Sequence, residues 1–278
     1  MEHRGCMMLR VLINCYHPKD GNALFKFLPE QEAKAVKSLE ITSKDLQPVF
    51  QDPYRSISAI HYSWIQPALQ KFSESLRPMM ISALTPEQIA GFKQPPIVPL
   101  SDIGKIFILS QLYDKLEIKE HLPIEYLPIT DLSPLATWSK SQFTELADLL
   151  GLHDLAAEVR RIVDRNHLKN IYNCLTSKQL RYLKICLHQK EQLVSPKLGI
   201  DPTKQDCLKL KQTIHRRGLL RLGKALCAEH PDFIWHIAHI LDIRRGTILL
   251  KEFQPKEIPT VTKILKQQVL NLLNFLKS

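Results

Sequence analysis

The sequence predicts a mainly α-helical protein, folded as a compact multi-helix bundle with at most a short N-terminal strand and with room for two lobes. Apolar residues recur at three- and four-residue spacing through four short segments of residues 141–193, as on the buried faces of packed helices. Short helices cannot bury such faces alone, so these four must pack on one another. The 278 residues include 9 glycines, too few to favour sheets that bind phosphate through glycine-rich turns.

Residues 1–130 are predicted to form an N-terminal helical lobe. Its first segment alternates apolar residues with others, which predicts a short strand carrying Leu9, Val11 and Ile13. Thr85 and Gln88 have the spacing of a capping box, so a helix is expected to begin there. Pro67 lacks a backbone donor, and the helix around it is expected to kink or end close by.

Residues 131–278 are predicted to form a C-terminal helical bundle. Gly151 follows an apolar stripe and is expected to close that helix as its C-terminal cap. Asn166 is the expected N-cap of a short helix, and Thr176 with Gln179 predicts a capping box at the start of the next one. These signals indicate short helices joined by tight turns.

The formal net charge of +10 indicates an acidic partner, which is nucleic acid, anionic lipid or an acidic protein surface. Basic residues are most concentrated in a helix predicted between Lys204 and Lys224. Its candidate partner-binding residues are Lys209, Lys211, Arg216, Arg217, Arg221 and Lys224. A phosphate-binding face would give an affinity that falls steeply with salt. Neither aromatic residues for base stacking nor a helix-turn-helix is evident, so a solvated face or a surface for an acidic protein is favoured.

The six cysteines are scattered without a C-x-x-C pair, as Cys6, Cys15, Cys174, Cys186, Cys207 and Cys227. We expect them to be reduced and to act mainly as small core hydrophobes, which indicates a reducing compartment. Arg10 interrupts the apolar N-terminal run, so no signal peptide is expected. No window approaches the roughly 20 apolar residues that span a bilayer. The expected location is therefore the cytoplasm.

His236 and His239 are three residues apart in a predicted helix, a spacing that metal sites can use. Such a pair is common by chance in a chain with 11 histidines, and apolar residues surround it, so packing or surface histidines are favoured. The sequence contains no phosphate-binding loop, nucleophile elbow or zinc-protease motif. We therefore expect no metal, no cofactor and no enzymatic activity.

The central stretch resembles a known family. The residues that carry the resemblance are Leu150-Gly151-Leu152, Val159-Arg160-Arg161-x-Val163, Leu168 and Ile171. Their order and spacing are similar to a region of the SctK/YscK family, accessory proteins of the bacterial type III secretion sorting platform. The similar core spans residues 141–246, and with the opening residues 9–29 the resemblance touches about half of the chain. The chain is longer than the family pattern between residues 51 and 134.

The resemblance implies a non-enzymatic adaptor at the cytoplasmic face of the bacterial inner membrane, held there through protein contacts. The family bridges the cytoplasmic domain of the inner-membrane ring, an SctD-like protein, to pods formed by an SctQ-like protein. Through the pods it supports an SctL-like stalk protein and the ATPase. The matched charged residues, Arg160 and Arg161, either contact an acidic partner or pair with Glu158 and Asp164 on their own helix. The alternative function is nucleic-acid binding through the helix at 204–224.

Overall fold

A computed structural model describes most of the chain. The described residues are 3–17, 19–39, 53–92, 98–116, 118, 121–189, 193, 198–199 and 206–277. Across these residues the regular secondary structure is helical, with 15 α-helices, short 3-10 turns and no strand. The predicted mainly α fold is therefore confirmed.

In chain order the helices are α1 (His3–Tyr16), α2 (Gly21–Leu24), α3 (Glu30–Lys37), α4 (Pro53–Ser58), α5 (Tyr62–Leu69), α6 (Arg77–Ser82), α7 (Pro86–Ala90), α8 (Asp102–Lys115), α9 (Lys140–Val159), α10 (Arg165–Asn173), α11 (Ser177–His188), α12 (Cys207–Ala225), α13 (Pro231–Ile240), α14 (Ile243–Glu252) and α15 (Val261–Lys277). Contacts divide the chain into two compact units. The first unit comprises Met1–Ala136 and His230–Ile243, and the second comprises Thr137–Glu229 and Arg244–Ser278. Among the described residues, no helix has the length and apolar content that crossing a membrane requires.

The N-terminal segment is a helix and not the predicted strand, because residues 9–13 lie within α1. Burial in α1 follows a helical period: Met7 and Val11, four residues apart, are both buried. The alternating apolar residues that predict a strand belong to this helical stripe. A small core joins α1, α3 and the turn between them through Cys6, Ile13, Phe25, Ala33 and Val36.

A larger core in the first unit joins α4 to α8. The predicted capping box of Thr85 and Gln88 begins α7. The buried Gln88 amide group also donates to the carbonyls of Ile57 and Ile60, both at 2.7 Å, and so ties α7 to the end of α4. Pro67 lies inside α5, which continues past it for two residues.

Helix α13 belongs to the first unit, although most of the second unit precedes it in the chain. The His61 amide donates to the His239 carbonyl at 2.7 Å, and the Trp64 indole donates to the Leu241 carbonyl at 3.0 Å. The predicted C-terminal domain of residues 131–278 included this helix. In the structure α13 belongs to the first unit instead. The hydrogen bonds that hold it there join residues far apart in the sequence, so no local sequence pattern indicates them.

Helix α9 is the centre of the second unit, where α12, α11 and α15 pack against it. Gly151 is not the predicted helix cap but an interior residue of α9, facing the Ile214 carbonyl of α12. Gly218 of α12 faces the Ala147 carbonyl of α9 in the same way. A Cβ atom at either glycine would overlap backbone atoms, so both glycines allow the close approach of these two helices.

Capping residues set the ends of the shorter helices in the second unit. Thr176 and Gln179 form the predicted capping box of α11. Helix α10 is capped by Asp164 and not by Asn166, whose own amide donates to the Asp164 carboxylate at 2.9 Å. Asn166 is therefore the second residue of α10, and Asp164 supplies the capping oxygen.

Cys174 and Cys207 form a disulfide between the end of α10 and the first residue of α12, with Cα atoms 5.1 Å apart. The prediction of reduced cysteines therefore does not hold for this pair. The two residues are separated by 33 positions, and only the fold brings them together. Cys6, Cys186 and Cys227 are buried and lie outside this disulfide, as expected for small core hydrophobes.

Candidate partner-binding surfaces

The basic residues of the chain are concentrated in the second unit. That unit contains 24 Lys and Arg against 11 Asp and Glu, a net charge of +13, whereas the first contains 14 against 17, a net charge of −3. The two values account for the net +10 of the whole chain. An acidic partner is therefore attracted mainly by the second unit.

Three of the residues predicted to bind a partner are exposed on α12. They are Lys209, Lys211 and Arg216. Lys209 and Arg216 are seven residues apart and share one face of the helix. The predicted helix start near Lys204 lies outside the described residues, and α12 is described from Cys207. Its N-terminal half presents positive charge to solvent.

Helix α10 adds two exposed basic residues that the sequence reasoning missed, Arg165 and Lys169. They are four residues apart and share one face, a spacing visible in the sequence. The disulfide holds the end of α10 beside the start of α12, five residues from Lys169 and two from Lys209. We define the α10–α12 basic surface as Arg165, Lys169, Lys209, Lys211 and Arg216.

Arg160 and Arg161 are neighbours with different roles. The Arg160 guanidinium donates to three carbonyls at the end of α11, those of Cys186, Leu187 and Gln189. Carbonyls in the last turn of a helix lack helical partners, so Arg160 completes the hydrogen bonding of α11. Arg161 is exposed close to Val163, whose side chain is 93% exposed. Of the two, Arg161 is therefore the better candidate for contact with a partner.

The other basic residues predicted on α12 contact acidic residues of the second unit. Arg221 is buried in an ion pair with the buried Asp154 of α9, and its Nη1 donates to Gln268 of α15 at 2.8 Å. Arg217 Nε lies 4.0 Å from the same Asp154 carboxylate, and Lys224 Nζ lies 3.7 Å from a glutamate of α14. Burial makes Arg221 unavailable to a partner, contrary to the prediction.

Helix α8 in the first unit exposes large apolar side chains. Ile103, Ile106 and Phe107 are 82%, 60% and 65% exposed, and their spacing places them on one helical face. Single exposed apolar residues are ordinary, but a contiguous group is typical of an interaction surface.

His236 and His239 bond to backbone carbonyls of the first unit. His236 Nε2 lies 2.7 Å from the Leu122 carbonyl, and His239 Nδ1 lies 2.7 Å from the Trp235 carbonyl. Within the described residues, no three His, Cys, Asp or Glu side chains gather as a metal site requires. These contacts favour a packing role for both histidines.

The His239 ring lies close to two tryptophan rings, with centroids 4.2 Å from Trp64 and 3.9 Å from Trp235. Burial lowers the pKa of His239 to about 4. Trp235 also stacks on His121 at 4.3 Å. Burial alone would raise the pKa of Asp232, but hydrogen bonds from His121 and a backbone amide outweigh it and lower the pKa. At neutral pH, therefore, His239 is uncharged and the Asp232 carboxylate is ionised.

A cavity of about 550 Å³ lies near the first turns of α9 and α11 in the second unit. Its two carboxylates are already paired. Glu145 contacts Lys178 at 2.7 Å, and Asp148 contacts His215 at 2.7 Å. Arg245 donates to the second nitrogen of His215, so this histidine is engaged at both ring nitrogens. Both carboxylates of this cavity are therefore engaged by neighbouring side chains of the second unit.

The fold and these surfaces define an all-α protein of two units, with the excess positive charge in the second. Comparisons with models of protein families, with curated proteins and with solved structures find no match to this chain.

Proposed function

We propose that this protein is a non-enzymatic cytoplasmic adaptor of a bacterial type III secretion sorting platform. In this role it links the SctD-like domain of the inner-membrane ring to the SctQ-like pod protein, and thereby supports the SctL-like stalk and the ATPase. The observation that carries the proposal is the exposed α10–α12 basic surface, in a unit of net charge +13. The resemblance of residues 141–246 to the SctK/YscK family supplies the identity of the partners.

The second unit has the rigidity that a bridging protein needs. Helix α9 has 20 residues, and α11, α12 and α15 pack against it. The buried pair of Asp154 and Arg221 lies within this packing, so the exposed basic residues are carried by a fixed frame. Charge on such a surface steers an acidic partner and fixes its orientation more than it adds raw affinity. Binding is therefore expected to weaken as salt increases.

A bridge between two partners needs two surfaces of different chemistry. The first unit has a net charge of −3 and exposes apolar residues on α8, where Ile103, Ile106 and Phe107 share one face. Apolar and aromatic side chains of this kind are enriched at the centres of protein interfaces. The two units therefore offer an apolar contact and a basic one, as an adaptor requires.

The test is binding of the purified chain to the pod protein and to the ring domain, by co-elution and by titration. The test variant carries the changes Lys209→Glu, Lys211→Glu and Arg216→Glu. We expect it to lose about tenfold or more in affinity for one of the two partners, because three attractive charges become repulsive. The matched control makes the same charge change on exposed lysines of the first unit away from α8, at Lys19, Lys26 and Lys71.

The control variant is expected to retain affinity within about twofold, because its changes lie outside the basic surface. An equal loss in both variants would show that net charge, and not this surface, governs binding. Failure to co-elute with either partner at about 50 µM would count against the adaptor function, since that concentration detects even weak complexes.

The same surface supports a second candidate function, which is nucleic-acid binding. The net charge of +13 on the second unit favours it, because phosphates attract lysine and arginine without regard to sequence. In that case log K for duplex binding would fall linearly with log salt, and each phosphate-contacting lysine removed would reduce the slope by about one unit. A duplex shift at about 50 mM salt, abolished by the α12 triple variant and without binding to either secretion protein, would favour this alternative.

A further inference from the structure

The Cys174–Cys207 disulfide joins the two helices that carry the α10–α12 basic surface. Cys174 follows the last residue of α10 and is 5% exposed, whereas Cys207 is the first residue of α12 and is partly exposed. Lys209 and Lys211 follow Cys207 directly, and Lys169 lies on α10 a little more than one turn before Cys174. The bond therefore fixes the spacing between basic residues of the two helices.

Among the described residues, the first two turns of α12 make few other contacts with the second unit. Among residues 206–213, Leu210 is the buried side chain, while Leu208, Lys209 and Lys211 are exposed. Ile214 is the next buried residue, and most residues are buried from Gly218 onward, where α12 packs on α9. A helix end with so little buried apolar surface opens easily unless another link restrains it. The disulfide is that link.

We propose that the Cys174–Cys207 disulfide is a redox-reversible latch on the α10–α12 basic surface. With the bond formed, the start of α12, which carries Lys209 and Lys211, is held at the end of α10, which carries Lys169. With the bond reduced, the first two turns of α12 open, and the fixed spacing between the basic residues of the two helices is lost although their charges remain. This inference rests on the proposed adaptor function for the identity of the partner, but its structural part does not.

The chemistry of the latch is thiol–disulfide exchange with glutathione. A glutathione thiolate attacks the more accessible sulfur, that of Cys207, forming a mixed disulfide and releasing the Cys174 thiolate, which takes up a proton. A second glutathione thiolate attacks the glutathione sulfur of the mixed disulfide and releases the Cys207 thiolate, which is also protonated. Two glutathione thiols are thereby oxidised to one glutathione disulfide, and two protein thiols form. Oxidised glutathione drives the reverse reaction.

The full-length chain is equilibrated in glutathione buffers of increasing reducing strength. Thiol alkylation with mass detection gives the fraction of disulfide, and hydrogen exchange is followed at the amides of residues 207–211. We expect reduction to accelerate exchange there by about tenfold or more, with little change at residues 218–225, where α12 packs on α9. Affinity for the partner identified by co-elution should fall in parallel by about tenfold.

Two variants complete the experiment. Cys174→Ser with Cys207→Ser should behave like the reduced protein in every buffer, because it cannot form the bond. Cys227→Ser, at a buried cysteine two residues after the end of α12, should retain the full redox response. A poly-glutamate peptide serves as a charge-only probe, and its binding should change less than twofold on reduction, because reduction leaves the net charge unaltered.

Equal hydrogen-exchange rates at residues 207–211 in the oxidised and reduced protein would contradict the proposed latch. Equal partner affinity in the two states would also overturn it, while leaving the adaptor function intact. Absence of partner binding in both states would contradict the adaptor function alone, and the exchange rates would then decide the latch independently.

Discussion

Arg216 and Arg221 are five residues apart on α12 and have different roles. Arg221 is buried, and its charge is balanced by Asp154 and by a hydrogen bond to Gln268. A buried guanidinium without such partners would lose its hydration uncompensated, so removing either partner of the pair is costly. Arg216 remains hydrated at the surface and is free to approach another protein. The helical period, more than residue type, assigns these roles.

The buried His239 makes the stability of the first unit depend on pH. Its pKa is about 4 in the folded protein, below the unfolded value of 6.5. Between these values the unfolded chain binds a proton that the folded protein excludes, so stability is full above about pH 6.5 and falls as the pH decreases towards 4. Protonation of this one residue on unfolding lowers the free energy of unfolding by about 3 kcal/mol across that pH interval. Urea unfolding followed by tryptophan fluorescence measures the loss, because the rings of Trp64 and Trp235 both lie close to that of His239.

The variant His239→Phe retains an aromatic ring but cannot be protonated, so its stability should change less between pH 6.5 and pH 4. The matched control is His188→Gln, at an exposed histidine, which should show the wild-type pH dependence. Asp232 adds its own loss only at lower pH, because its pKa lies below 3.8. An NMR titration of His239 with a midpoint near 6.5 would contradict the proposed cause.

At the scale of helices, the capping boxes were predictable from the sequence, whereas the single capping residues expected at Asn166 and Gly151 were not. The capping boxes at Thr85 and Thr176 form as predicted, since a cap depends on residues within one turn. Gly151 was misinterpreted, because a glycine that ends a helix and one that admits a neighbouring helix look alike in a single sequence. The strand expected at residues 9–13 failed for a related reason. Short apolar runs fit both periods until their packing partners are known.

The crossing of α9 and α12 should be the most sensitive helix contact in the second unit. A methyl group at Gly218 would overlap the Ala147 carbonyl, which belongs to the backbone of α9 and cannot rotate away. We expect Gly218→Ala to lower the free energy of unfolding by about 3 kcal/mol, although alanine has the higher helix propensity. Urea unfolding followed by circular dichroism measures the change.

The matched control for this crossing is Gln212→Ala, at an exposed site on the same helix. It should change stability by no more than about 0.5 kcal/mol. If Gly218→Ala proved neutral or stabilising, α9 and α12 would have to lie farther apart than described here.

At the scale of the whole molecule, the α-helical class predicted from composition is confirmed, whereas the acidic partner indicated by the net charge of +10 stays a prediction. The division of the chain was harder to predict. The sequence suggested a boundary near residue 130, whereas the first unit recruits α13 from beyond residue 229. Hydrogen bonds such as that of Trp64 to Leu241 join residues far apart in the chain, and a single sequence carries no record of them. Arg165 and Lys169 were not predicted for a different reason. They become part of a basic surface with α12 only through the disulfide, whose two cysteines lie far apart in the sequence.

This division leads to a test with fragments of the chain. Helix α13 has four buried apolar residues, Phe233, Ile234, Ile237 and Ala238. The fragment 1–136 lacks them, so it should be less stable than a fusion in which a flexible glycine–serine linker joins it to residues 230–243. We expect the difference in free energy of unfolding to be about 4 kcal/mol or more, from the apolar area that α13 buries. Urea unfolding of both proteins, followed by circular dichroism, measures it.

The matched control is the same fusion with Ile234→Asp and Ile237→Asp, which retains the linker and the chain length but cannot bury α13. Its stability should return to that of fragment 1–136, because a buried carboxylate without a partner is costly. Equal unfolding midpoints for all three proteins would mean that α13 contributes nothing to the first unit. The boundary near residue 130 expected from the sequence would then describe the folding units better than the contacts do.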